Sequence, residues 1–152
     1  MSKKIAIIGG SGALGAGLAK RWAKAGHQVV VGSRDAGRAV EAAVRLNQEA
    51  GTSTITGAGN PEAAAASEIV VLTVPYANQM PTLEAIAAAL DGKILVDVTV
   101  PLVPPKVRTV QVPEGGSCAK AAQDKLGAGV RVVSAFQNVA ATHLDDLDHV
   151  ID

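Results

Sequence analysis

Two kinds of segment alternate along this chain, and few architectures accommodate the alternation. Short runs rich in β-branched residues fall at 4–9, 28–32, 54–56, 69–74, 93–98 and 131–136. They are apolar on consecutive residues instead of every second one, the pattern of strands covered on both faces. Between them lie Ala-rich stretches with helical spacing at 13–25, 36–50, 61–67, 78–90 and 117–126. Asp35 stands where it can cap the second of these, and Gly26, Gly51 and Gly92 each follow a helical stretch, as helix-ending glycines do. The alternation predicts an α/β fold of the Rossmann type, doubly wound around a mainly parallel sheet. Right-handed crossovers give the expected strand order 3-2-1-4-5-6.

Composition narrows the reading. The length of 152 residues suits one domain, taken here as 1–152. Hydrophobic residues make up 48% of the chain, too many for a disordered one. The only aromatic residues are Trp22, Tyr76 and Phe136, so the core must be built from Ala, Val, Ile and Leu. Lys and Arg number 14 and so do Asp and Glu, which leaves no basic footprint for nucleic acid or an anionic membrane. The apolar run after Lys4 is too short and too glycine-broken for a signal peptide, and nothing is long enough to span a bilayer. The single cysteine, Cys118, excludes a disulfide scaffold and a multi-cysteine metal site. A cytoplasmic domain is expected.

Two stretches break the rhythm. Residues 99–116 carry Pro101, Pro104, Pro105 and Pro113 and end on Gly115 and Gly116, which forbids a helix and predicts a long loop after the fifth strand. Long loops in compact domains usually serve function. The tail, 137–152, is polar and weakly helical.

The first strand runs straight into Gly9-Gly10-Ser11-Gly12-Ala13-Leu14-Gly15, a G-x-G-x-x-G motif at Gly10, Gly12 and Gly15. Gly10 is expected to permit the tight turn, Gly12 to let backbone approach a pyrophosphate, and Gly15 to let helix and strand pack closely. The helix N-terminus then offers free N–H groups to phosphate. The end of the second strand selects the dinucleotide. NAD-binding folds place an acidic residue there for the ribose hydroxyls, but this strand ends Gly32-Ser33-Arg34. A carboxylate would repel a 2′-phosphate, whereas Arg pairs with one through two hydrogen bonds. Arg34 can also stack on adenine, and Arg38, one helical turn on, adds charge. NADP(H) is therefore the expected dinucleotide, held by Ser33, Arg34 and Arg38.

At this point the residues become familiar. The loop at 9–15, followed by Gly-His-Gln-Val-Val-Val-Gly-Ser-Arg-Asp at 26–35, resembles the NADPH-dependent coenzyme F420 reductases, also called F420-dependent NADP oxidoreductases. Ile-Val-Val-Leu-Thr-Val-Pro-Tyr at 69–76, Asp-Val-Thr-Val-Pro-Leu at 97–102 and Val-Ser-Ala-Phe-Gln-Asn at 133–138 resemble them too. The first two blocks are the more specific; the later ones recur in related NADP-binding domains. The resemblance implies hydride transfer between NADP(H) and the deazaflavin coenzyme F420, and a homodimer; the alternatives are an NADPH-dependent reductase of a flavin, imine or carbonyl, or a non-catalytic NADP-binding module. It implies phosphate contacts from Ser11, Gly12, Ala13 and Leu14, and 2′-phosphate contacts from Ser33, Arg34 and Arg38. Thr73, Val74 and Pro75 would lie against ribose and nicotinamide, and the loops after strands five and six would wall the deazaflavin site. Two departures stand out. Family members often carry His where this chain has Gln137, and they continue past the position of Asp152 through elements that help form the second-substrate pocket and the dimer. The chain is thus expected to lack the family's C-terminal part.

Hydride transfer between two such cofactors needs no protein nucleophile and no metal, only placement and exclusion of water. No catalytic residue is assigned. His27 opens a strand and reads as structural. His143 and His149 share the tail with Asp145, Asp146 and Asp148, which reads as a solvated helix face before it reads as a metal site. Cys118 begins a helix, where its pKa could fall, but a small buried bystander is the plainer reading. Asp97 could orient a loop or bind substrate. Gln137 and Asn138 could hydrogen-bond the nicotinamide carboxamide or the acceptor ring, and both count as candidate cofactor residues.

Overall fold

A computed structural model describes residues 1–150; the last two residues of the expected tail, Ile151 and Asp152, lie outside it. Six strands form one parallel sheet: β1 (Lys4–Ile8), β2 (Gln28–Ser33), β3 (Ile55–Gly59), β4 (Ile69–Leu72), β5 (Ile94–Asp97) and β6 (Arg131–Ser134). Their order is β3-β2-β1-β4-β5-β6, as the alternation predicts. The helices are α1 (Ala13–Lys24), α2 (Ala36–Ala50), α3 (Asn60–Ala65), α4 (Gln79–Ile86), α5 (Cys118–Leu126) and α6 (Ala141–Asp145).

Consecutive apolar residues divide between the two faces, because successive side chains of a strand point opposite ways. Ile5 and Ile7 of β1 join Val29, Val31 and Val71 under α1 and α2, which contribute Leu18 and Leu46. Ala6 and Ile8 join Val30, Val70 and Leu72 under α3 and α4, where Leu83 and Ile86 close the layer. Registers Ile7↔Val31 and Ile7↔Val71 put β1 at the centre, between β2 and β4. The chain therefore reverses its direction of winding at the carboxyl ends of β1 and β4, the place where doubly wound sheets open a crevice.

Strand ends differ from expectation where the chain leaves the sheet to build that crevice. β4, β5 and β6 each stop before the end of their apolar run. After β6 the backbone turns through Phe136, a left-handed residue at φ 68, whose ring meets Trp22 edge-on with centroids 6.0 Å apart. The expected helix at 78–90 is α4 bracketed by 3₁₀ turns at Tyr76–Asn78 and Ala87–Ala89.

The tail is less solvated than its composition suggests. Leu144 of α6 is buried in the α1 layer. The Arg21 guanidinium donates to the carbonyls of Leu144 at 2.9 Å, His143 at 2.8 Å, Asp146 at 2.6 Å and His149 at 2.8 Å. Lys20 pairs with Asp145 and Glu49. Burial alone would lower the pKa of its ammonium, but these two partners hold it above the ordinary 10.5. His143 and His149 stack with ring centroids 4.5 Å apart.

Candidate functional site

The carboxyl ends of β1, β2 and β4 enclose a cleft of about 370 Å³, and the start of α4 closes one side. Of the residues expected there, Ser11, Gly12, Ser33, Arg34, Arg38, Thr73, Val74 and Pro75 all line it. They come from three separate turns of chain that the sheet order brings together.

The glycine loop does its work with a different division of labour from the expected one. The left-handed residue that makes the turn is Gly9, at φ 80; Gly10 is needed for space, since a Cβ there would meet the Ile7 carbonyl oxygen at 2.8 Å and Val31 Cγ1 at 3.0 Å. Gly15 presses on the loop and on β4's exit more than on β1, for its Cβ would stand 2.7 Å from both Gly10 Cα and Thr73 Oγ1. At Gly12 the nearest neighbour of such a Cβ is the Gly9 carbonyl oxygen at 3.4 Å, so this glycine faces open cleft. Gly12 also caps α1 without a side chain, and the first helical bond runs from the Ala16 N–H to the Gly12 carbonyl at 2.8 Å. The amides of Ala13, Leu14 and Gly15 consequently have no partner inside the helix, and the positive end of its dipole opens at the cleft. Gly10, Ala13, Leu14 and Gly15 thus belong to the site through backbone, beneath its lining.

Among the described residues, Arg34 and Arg38 are the only charged ones that line the cleft, and no acidic one does. Asp35 is turned to the helix: it accepts from the Arg38 N–H at 3.2 Å as the cap of α2, and its carboxylate lies 3.9 Å from Arg38 Nε. Both side chains of that pair are exposed, so it costs Arg38 little to exchange this partner for a phosphate. Thr73 Oγ1 donates to the Ile8 carbonyl at 2.9 Å, tying the exit of β4 to that of β1. Asn60, Asn78, Pro81, Thr82 and Ala85 also line the cleft and were not anticipated. Asn60 directly follows β3 on the same sheet edge as the glycine loop, a position hidden by the expected end of that strand at residue 56.

A second, smaller pocket of about 250 Å³ lies at the ends of β5 and β6, walled by Val100, Pro101, Val110 and Val112 of the long loop. Gln137 lines this pocket and not the cleft; its amide donates to the Asp97 carbonyl at 2.9 Å and to Ser134 Oγ at 2.8 Å. Asn138 is exposed and lines neither, so the structure does not bring it to the dinucleotide site. Asp97 is fully buried and serves the loop. Its carboxyl oxygens accept from the Thr99 N–H at 2.9 Å, Thr99 Oγ1 at 2.7 Å and Gln79 Nε2 at 2.6 Å. Cys118, at the pocket floor, has its thiol pushed up chiefly by burial, which outweighs the downward pull of the Thr99 hydrogen bond and is helped a little by the nearby Asp97. It is not an activated nucleophile. His27 is structural, its Nδ1 accepting from the Lys3 N–H at 3.2 Å.

A glycine turn, a helix N-terminus and a purely basic rim form a set of donors for a phosphorylated dinucleotide. Residues 4–101 match the family model described as NADP oxidoreductase, coenzyme F420-dependent. The chain belongs to that family. An F420-dependent NADP reductase of Methanothermobacter thermautotrophicus is 42% identical, across 100% of this chain and 68% of its own length. One from Methanocaldococcus jannaschii is 39% identical, across 98% of this chain and 69% of its own. A crystal structure from Arthrobacter sp. FB24, provisionally described as an F420-dependent NADP reductase, superposes with a TM-score of 0.76 at 28% identity. It covers 93% of this chain and 65% of that one. The family member described here thus spans about two thirds of its relatives' length. A pyrroline-5-carboxylate reductase from Coxiella burnetii, at 16% identity and a TM-score of 0.63, shares the fold.

Proposed function

We propose that this protein is an oxidoreductase passing hydride between NADP(H) and coenzyme F420. The cleft at β1, β2 and β4 holds NADP(H), and the apolar pocket at β5 and β6 contributes to the deazaflavin site. The observation that carries the reading is the cleft's donor set: free helix amides beside a glycine turn, with Arg34 and Arg38 and no carboxylate at the rim. NADP(H) supplies the hydride chemistry itself. The residues here bind and orient. Ser11, Gly12 and the amides of Ala13 and Leu14 take the pyrophosphate, above the packing glycines Gly10 and Gly15. Ser33, Arg34 and Arg38 take the 2′-phosphate. Thr73, Val74 and Pro75 support the ribose and nicotinamide. Gln137 and Asn138 follow β6, where Gln137 faces the acceptor pocket.

The test is turnover with NADPH and oxidised F420, followed as loss of deazaflavin absorbance, with NADH as control. Turnover with NADPH alone supports both halves of the reading. Tight NADPH binding without turnover would leave a dinucleotide-binding module whose acceptor is something else. We further read 1–152 as a single NADP-binding domain acting in the cytoplasm as a homodimer. The support for the dimer is the family resemblance together with the exposed Val107, Val110 and Val112 of the long loop, and sedimentation velocity decides it.

A further inference from the structure

The cleft contains one polar group that the fold leaves unanswered. Asn60 opens α3 at the carboxyl end of β3, lines the cleft and is only 6% exposed. Its Oδ1 is buried and has no hydrogen-bond partner. Native folds rarely keep such an atom unless something else comes to satisfy it. Among the described residues two other buried oxygens share this condition, Thr54 Oγ1 and Ser67 Oγ. Those residues precede β3 and β4, at the opposite edge of the sheet from the cleft.

The position of Asn60 gives its oxygen a meaning. A Cβ on Gly32 would stand 2.9 Å from Asn60 Oδ1. Residue 32 lies at the end of β2, where dinucleotide folds that prefer NAD seat the carboxylate that accepts from the adenosine ribose. Asn60 therefore occupies, from the neighbouring strand's exit, the space through which that carboxylate would reach. It presents the same chemistry, an acceptor oxygen, without the charge. Once the 2′-oxygen carries a phosphate, the 3′-hydroxyl is the donor the ribose has left.

We propose that Asn60 is a specificity-determining residue: its Oδ1 accepts a hydrogen bond from the adenosine 3′-hydroxyl of a 2′-phosphorylated dinucleotide, replacing the carboxylate of NAD-binding relatives by a neutral oxygen. This rests on the NADP(H) reading of the cleft. Charge complementarity supports it, because a carboxylate here would face the 2′-phosphate that Arg34 and Arg38 attract, and like charges at a desolvated contact are costly.

Calorimetric binding tests the proposal with four probes: NADPH, NADH, adenosine 2′,5′-bisphosphate and its 3′-deoxy analogue. The unaltered protein should bind the 3′-deoxy analogue about tenfold more weakly than the parent bisphosphate, the loss of one buried hydrogen bond. Asn60→Ala should bind both bisphosphates equally, each at the weakened level. Asn60→Asp, which suits a helix start, should weaken NADPH about 30-fold or more while leaving NADH within about threefold. Indifference of the unaltered protein to the 3′-hydroxyl overturns the proposal without any variant having to fold. So does an Asn60→Ala protein that still discriminates the two bisphosphates tenfold, or an Asn60→Asp protein that loses NADPH and NADH alike. Failure of the unaltered protein to bind NADPH at all overturns the dinucleotide reading first, and this proposal with it.

Discussion

The two halves of the sheet's carboxyl edge solve the same task by opposite means. In the half built on β1, β2 and β4, the chain leaves the strands through short turns, residues 9–12, 34–35 and 73–75, the last leading into the 3₁₀ turn before α4. Shape is set there by the absence of side chains: Gly10 and Gly15 touch backbone where a methyl group would collide. In the half built on β5 and β6, residues 98–117 intervene before α5, and shape is set by side-chain hydrogen bonds. Asp97, Gln79, Thr99 and Gln137 knit the base of the long loop to the start of α4 and to the turn after β6. A surface made of backbone and glycine is common to every dinucleotide and admits little variation. A pocket held by exchangeable polar side chains and a proline-rich loop can be reshaped for one acceptor without disturbing the cleft.

That contrast can be broken most severely at Gly15. Gly15→Val forces Cβ into Gly10 and Thr73, so NADPH affinity should fall about 100-fold or more and stability by about 1–3 kcal/mol, as read by calorimetry and urea unfolding. A variant that still binds NADPH normally would mean the loop is not shaped by close packing. Arg34→Asp is next: NADPH should weaken about 100-fold and NADH by no more than about threefold. Equal losses would remove Arg34 from the 2′-phosphate. The smallest effect is expected in the other half. Asp97→Asn turns one acceptor into a donor facing Gln79 Nε2, and should cost about 1–3 kcal/mol in urea unfolding. The KM for F420 should rise while the Kd for NADPH stays within about threefold. An equal change in both would show that the two halves are one site energetically.

What could be read from the chain followed the same division. Strands buried on both faces write consecutive apolar residues, so β1 and β2 and their pairing were legible, and Asp35 and Gly51 marked both ends of α2. The glycine loop and Ser33-Arg34 declared themselves because their chemistry is local and contiguous. The third strand was harder: Ile55–Gly59 is glycine-rich and shows its identity only through register with β2, as in Gly57↔Val31. Asn60 was missed for a related reason, since its importance depends on Gly32, which is distant in sequence. The tail reads as solvated from its charges, yet Arg21 binds it through backbone carbonyls that carry no sequence signature. Gln137 could face the nicotinamide or the acceptor ring from sequence alone, and only the fold puts it beside the second pocket.

The contact between Gly32 and Asn60 has an evolutionary consequence. An Asp or Glu at position 32 would have to displace Asn60 Oδ1 and Ile8 Cδ1, each 2.9 Å from the first atom of the new side chain. Removing Asn60 first leaves the ribose edge without an acceptor. Seating the carboxylate at position 32 therefore takes a paired exchange, since either change made alone leaves a clash or an empty acceptor position. A lineage that has taken up this glycine and this asparagine together is locked into its coenzyme by geometry, however the rest of its surface drifts.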